Sequence, residues 1–174
     1  MSARTRAWGA SRARALVVLA AALWITVLNG CMPYTPSTAE YPSDWNPNQV
    51  AWRPYALGLR EAGRARKPIV LVFYTDWCPH CHNFSRVFHD PRVVEASRGF
   101  VMIRVERDGN PELSQAYQLD GDYVPRTFFL MPDGDVLEKL DSGRSEFRYF
   151  LDEEEPDELL ALMQRAAKLA APAP

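Results

Sequence analysis

The stretch that most constrains this chain is Ile69-Val70-Leu71-Val72-Phe73-Tyr74, opened by Pro68 and followed at once by Thr75-Asp76-Trp77-Cys78-Pro79-His80-Cys81-His82. A continuous run of β-branched and aromatic residues is the pattern of a strand buried on both faces. It is therefore expected to be the central strand of a sheet covered on both sides. Its end delivers two cysteines, three positions apart, to a segment where Pro79 suits the first position of a helix.

Further elements alternate around that strand. Tyr55, Leu59 and Ala62 recur at helical spacing after Pro54, with Arg64, Arg66 and Lys67 placed where a helix C-terminus favours cations. Pro79 to about His89 reads as helical, and Asp90-Pro91 as a cap and first-turn pair restarting a short helix through Ser97. Phe100 to Val105 forms a second apolar strand, Pro111 to Tyr117 a short helix, and Thr127 to Met131 a third strand. Pro132-Asp133-Gly134 is turn chemistry, which predicts an antiparallel hairpin onto Val136 to Leu140 and makes the sheet mixed. A closing helix opens at Pro156-Asp157-Glu158 and places Leu159, Leu162, Met163, Ala166 and Leu169 on one face. The fold class expected is α/β, a central mixed sheet flanked by helices, over residues 49–174.

The first thirty residues are of another kind. Arg4, Arg6, Arg12 and Arg14 precede an apolar run from Ala15 to Leu28, and no acid occurs before residue 31. A basic start followed by an apolar segment too short to span a bilayer is an export signal, assigned to residues 1–30. Leu28-Asn29-Gly30-Cys31 resembles the bacterial lipobox, in which the cysteine is lipidated, although Asn29 departs from the usual small residue. Residues 31–48 carry Pro33, Pro36, Pro42 and Pro47 among polar residues and read as a tether. Localisation is expected to be extracytoplasmic, with the membrane as a partner through lipid on Cys31. A formal charge of -2 from 20 basic and 22 acidic residues argues against nucleic acid as a partner. A monomer is expected.

Cysteines at i and i+3 share one face of a first helical turn and lie close enough for a disulfide with little rearrangement. Cys78 would sit at the helix N-terminus, where unpaired N–H groups and the helix dipole favour a thiolate. Cys81, one turn inward, would be the shielded, resolving thiol. An imidazole near Cys78 would also favour its thiolate; His82 and His89 read as surface or packing residues.

At these residues the chain resembles the thioredoxin superfamily. Tyr123-Val124-Pro125-Arg126 looks like that superfamily's cis-proline loop, which faces the dithiol and presents backbone to the substrate. Trp52, Lys67-Pro68, Gly143-Arg144 and the acidic run from Asp152 to Asp157 are similar to the secretory-pathway thioredoxin-domain and anterior-gradient proteins. Cys-Pro-His-Cys is similar to the dithiol of DsbA-type periplasmic oxidants. The resemblance implies thiol-disulfide exchange on exported proteins, with Cys78, Cys81 and His80 catalytic, a Cys78–Cys81 disulfide, and Trp77, Pro79, Val124 and Pro125 at the substrate. A separate redox partner and no organic cofactor are implied. Aligning on Trp77-Cys78 puts Val72 where thioredoxin carries a buried aspartate, leaving Glu106 or Asp122 as candidates to accept the resolving cysteine's proton. That departure favours oxidase or isomerase work over reductase work.

Rival readings use the same residues. Cys78-Pro79-His80-Cys81-His82 also satisfies the c-type haem attachment pattern. Cys78, Cys81 and a histidine could serve a copper or zinc module, although the expectation is that no metal is bound. A redox-inactive chaperone on the same scaffold is a further class, and the complete dithiol counts against it.

Overall fold

A computed structural model describes residues 44–171. The expected export signal, Cys31 and most of the tether lie outside the described residues.

Four strands form one sheet: β1 (Trp52–Arg53), β2 (Ile69–Tyr74), β3 (Val101–Glu106) and β4 (Arg126–Leu130), in the order β1-β3-β2-β4. β1 and β2 both run parallel to β3, whereas β4 is antiparallel to β2. The mixed sheet expected from sequence is thus present, with β2 inside it. Ile69 through Phe73 are inaccessible to solvent, which is why the sequence there shows no polar alternation.

The helices are α1 (Tyr55–Ala65), α2 (Pro79–Ser85), α3 (Pro91–Ser97), α4 (Pro111–Ala116) and α5 (Asp157–Ala170), with a 3₁₀ turn at Arg86–His89 between α2 and α3. Proline opens α2, α3 and α4, where its missing N–H costs nothing. The Asp90 carboxylate accepts from the Arg92 N–H at 2.7 Å, the cap expected from Asp90-Pro91. α1 lies so close to β3 at Gly58 that a Cβ there would fall 2.5 Å from the Ile103 side chain. α5 buries Leu159, Leu162, Met163 and Ala166. Among the described residues no helix is long and apolar enough to cross a membrane.

Three expectations need correction. Val136 to Leu140 is not a strand: Val136 makes one bridge to Leu130, and the Leu140 N–H then donates to the Leu137 carbonyl at 2.8 Å. Leu140 is a core residue, and the turn that carries it inward ends the ladder. The β4 edge is taken up further along by the Tyr149 carbonyl, which accepts from the Thr127 N–H at 2.8 Å. Leu169 is 56% exposed, because the last turn of α5 overhangs an open groove lined by Val136, Leu137 and Leu140. The folded part also starts before residue 49. Trp45 is buried against Trp52, Tyr74, Phe84 and Phe88, and the Asn46 amide donates to the Phe88 carbonyl at 2.9 Å. A tryptophan inside a proline-punctuated segment carries no periodicity, so only the tertiary contacts place it in the core.

Candidate active site

The site forms where β2 ends and α2 begins. Cys78 is the residue ahead of Pro79, in extended backbone (φ -84°, ψ 116°), so its side chain stands at the open N-terminal end of α2. The His82 N–H donates to the Cys78 carbonyl at 3.2 Å, closing the first helical turn. Cys81 follows one turn on and is fully buried. Both are free and buried thiols, Cys78 keeping 4% of its surface exposed and Cys81 none. Burial pushes the Cys81 thiol well up from its ordinary value, and its hydrogen bond with Cys78 adds to this, while the Thr75 backbone and Arg107 act the other way. Burial therefore favours the protonated form of Cys81.

Opposite Cys78 lies the loop before β4. The Val124–Pro125 peptide bond is cis, and the Cys78 thiol donates to the Val124 carbonyl at 3.5 Å. Val124, separated from the dithiol by more than forty residues of chain, thus stands against it, with Pro125 following across the cis bond. Pro125 is followed by Arg126, whose guanidinium is wholly buried. It donates to the Tyr117 carbonyl at 3.2 Å and the Gly121 carbonyl at 3.0 Å, and to the Ser114 hydroxyl, and it lies 5.1 Å from the Phe73 ring. Arg126 therefore ties the end of α4 and the loop after it to the strand that carries the proline.

Trp77 is 55% exposed beside the dithiol, held by its indole N–H, which donates to Asp108 at 2.7 Å. The Arg107 guanidinium sits 5.6 Å from the indole centroid and pairs with Asp108 at 2.8 Å. Those two partners hold the Asp108 carboxyl below the usual carboxylate range. His80 points from the first turn of α2 to Glu153, at 2.8 Å, and not to a cysteine. The His82 ring bonds the Asp76 carbonyl at 2.6 Å, and the His89 ring bonds the Asp44 carbonyl at 3.1 Å, in keeping with surface roles.

Val72 is buried in β2, so no carboxylate occupies that position. The two candidates for its duty are engaged elsewhere. Glu106 accepts from the Gly109 N–H at 2.6 Å, and Asp122 from the Ser114 hydroxyl at 3.4 Å and Arg126 at 3.5 Å. Sequence reasoning missed Arg107, Asp108, Arg126 and Glu153; Arg126 and Glu153 lay inside motifs that had been noted, but neither had a partner visible in the linear chain.

A buried strand running into a helix that begins with a dithiol, faced by a cis-proline loop, defines a thioredoxin-like protein. Residues 51–132 match a protein-family model described as thioredoxin-like. Over 154 residues the chain is 26% identical to anterior gradient protein 2 of Xenopus tropicalis, covering 88% of this chain and 92% of that one. It is 40% identical over 68 residues to the thiol:disulfide interchange protein DsbD of Vibrio vulnificus, a match covering 36% of this chain and 12% of that protein's length. The solution structure of a thioredoxin from Thermus thermophilus superposes with a TM-score of 0.52 at 26% identity, covering 67% of this chain and 86% of that one. The chain thus carries a thioredoxin-like domain, and its likeness is to thioredoxin-like disulfide oxidoreductases.

Proposed function

We propose that this chain is an extracytoplasmic thiol-disulfide oxidoreductase, tethered to a bilayer through lipid on Cys31, that oxidises or isomerises disulfides in exported proteins. The observation that carries the reading is the pairing of Cys78, at the mouth of α2 and against the Val124 carbonyl, with a fully buried Cys81 beneath it. In the oxidising direction, a client thiolate attacks the Cys78 sulfur of the Cys78–Cys81 disulfide and expels Cys81 as a thiolate, which takes up a proton. A second client thiolate attacks the client sulfur of the resulting mixed disulfide and expels Cys78. The client gains a disulfide, and the protein gains two thiols. Isomerisation uses the reduced chain: the Cys78 thiolate opens a client disulfide, and a different client thiolate later displaces it. An extended client segment would lie along the backbone at Val124 and Pro125, with Trp77 and Pro79 beside it.

Direction follows from what stabilises the reduced state. Whatever favours the Cys78 thiolate favours the dithiol and makes the disulfide the stronger oxidant. The helix terminus acts in this sense, and Val72 replaces the carboxylate associated with a thioredoxin-like reductant. Equilibration with glutathione is expected to give a potential of about -200 mV or above, against about -270 mV for thioredoxin. A value near thioredoxin's would overturn the oxidising direction and favour reductase work.

Anchoring rests on the arginine-rich start, the short apolar run and Cys31. Cys31→Ser is expected to move the protein into the soluble extracytoplasmic fraction and to abolish labelling by palmitate, with the fold of the domain unchanged. Labelling that persists in that variant would refute lipid on Cys31.

A further inference from the structure

The acidic run that follows Phe150 closes over the helix that carries the dithiol. Leu151 is buried in the core and anchors it. The Asp152 carboxylate accepts from the Glu154 and Glu155 N–H groups, each at 2.9 Å, and the Asp152 N–H donates to Glu158 at 2.6 Å, so the loop is built from its own bonds. Glu153 projects from it onto α2, its side chain 18% exposed. One carboxylate oxygen takes the His80 Nδ1 at 2.8 Å, and the other accepts from the Asn83 amide at 3.1 Å. His80 and Asn83 are one turn apart on the same face of α2, so a single carboxylate clamps both. Phe150 packs against the imidazole in a T-shaped contact, with ring centroids 5.6 Å apart and planes at 79°.

We propose that Glu153 is a positioning residue for His80, and that it sets the potential of the dithiol by withholding the imidazole from Cys78. This rests on the reading of Cys78 and Cys81 as the redox couple. With its Nδ1 directed at Glu153 and Phe150 packed against its ring, His80, whose side chain is 61% exposed, has no hydrogen bond to Cys78 among the described residues. Any positive charge on the ring would be offset by the adjacent carboxylate, so the pair presents no net cation to the thiolate. Releasing the imidazole from Glu153 frees it to donate to the thiolate, which stabilises the reduced form and makes the disulfide more oxidising. The dithiol is thereby held less oxidising than Cys-Pro-His-Cys at a helix start would otherwise make it.

The test is a double-mutant cycle on the full chain, with the dithiol–disulfide equilibrium against glutathione as the readout. Glu153→Gln keeps the size and the capacity to accept from Asn83 but removes the charge. It is expected to shift the equilibrium about tenfold toward the reduced protein, which is about 30 mV more positive. In a His80→Gly background the same substitution is expected to shift it by less than about twofold. No shift, a shift toward the oxidised protein, or a shift of equal size with and without His80 would overturn the proposal; the last would make Glu153 a plain charge near the thiolate. If the wild-type chain itself shows no reversible dithiol couple, the reading of Cys78 and Cys81 falls and this inference with it. A normal wild-type couple with an unshifted Glu153→Gln removes the inference alone.

Discussion

Cys81→Ser is expected to accumulate mixed disulfides with client proteins, while Cys78→Ser forms almost none and loses exchange by at least about a thousandfold. The asymmetry follows from position. Cys78 stands at the N-terminal end of α2, facing the Val124 carbonyl and keeping 4% of its surface exposed, whereas Cys81 lies beneath it with none and its thiol is pushed up by burial. In the Cys81→Ser protein the Cys78 thiolate can still open a client disulfide, but no neighbouring sulfur remains to displace the client. Covalent adducts should then appear on non-reducing electrophoresis and vanish on reduction. A cysteine with no access to solvent cannot take the first step without the helix opening, so Cys78→Ser should not be rescued by Cys81. Equal trapping by both single variants would mean that the two thiols exchange roles, and the assignment of attacker and resolver would fail.

Arg126→Met should destabilise the domain by about 3 kcal/mol or more in denaturant unfolding, without touching either cysteine. The guanidinium is the donor for two backbone carbonyls, of Tyr117 and Gly121, and for the Ser114 hydroxyl. Each buried acceptor left without its donor costs about 1–3 kcal/mol, and methionine fills the volume beside Phe73 without supplying any donor. Burial also works against the charge on Arg126, a cost that the native protein bears and the variant does not. A loss under about 1 kcal/mol would mean that desolvation of the guanidinium nearly cancels its hydrogen bonds. The loop from Tyr117 to Asp122 should become the first segment to exchange its amide protons, because Arg126 is what fastens it to β4.

Several elements were legible in the chain because their causes are local. Pro68 and the apolar run after it marked β2 to the residue, Asp90-Pro91 marked the start of α3, and Pro79 after Cys78 put the dithiol at a helix N-terminus. Each of these depends on the conformational preferences of a few neighbouring residues or on a periodicity that burial imposes. The cis-proline loop was legible in a different way, through resemblance, since nothing in Tyr123-Val124-Pro125-Arg126 by itself says what it faces. The hairpin turn was read correctly as a turn, but the strand expected after it failed, because the demand of the core for Leu140 outweighs continued pairing with β4.

The remaining features of the site could not have been read from the linear chain, because their partners are brought together only by folding. Glu153 meets His80 across 73 positions, and Trp77 meets Asp108 across 31. Arg126 reads in sequence as one more polar residue at the head of a strand, and its burial is decided by carbonyls that α4 and the following loop happen to turn inward. The sequence by itself determined the covered central strand and the helix that begins at the dithiol, with its two thiols one turn apart, since backbone preference and hydrophobic burial act over a few residues. Only the tertiary structure decided what surrounds that dithiol, because charge, hydrogen bonding and solvent exclusion act through space, between groups whose separation along the chain carries no information about their distance.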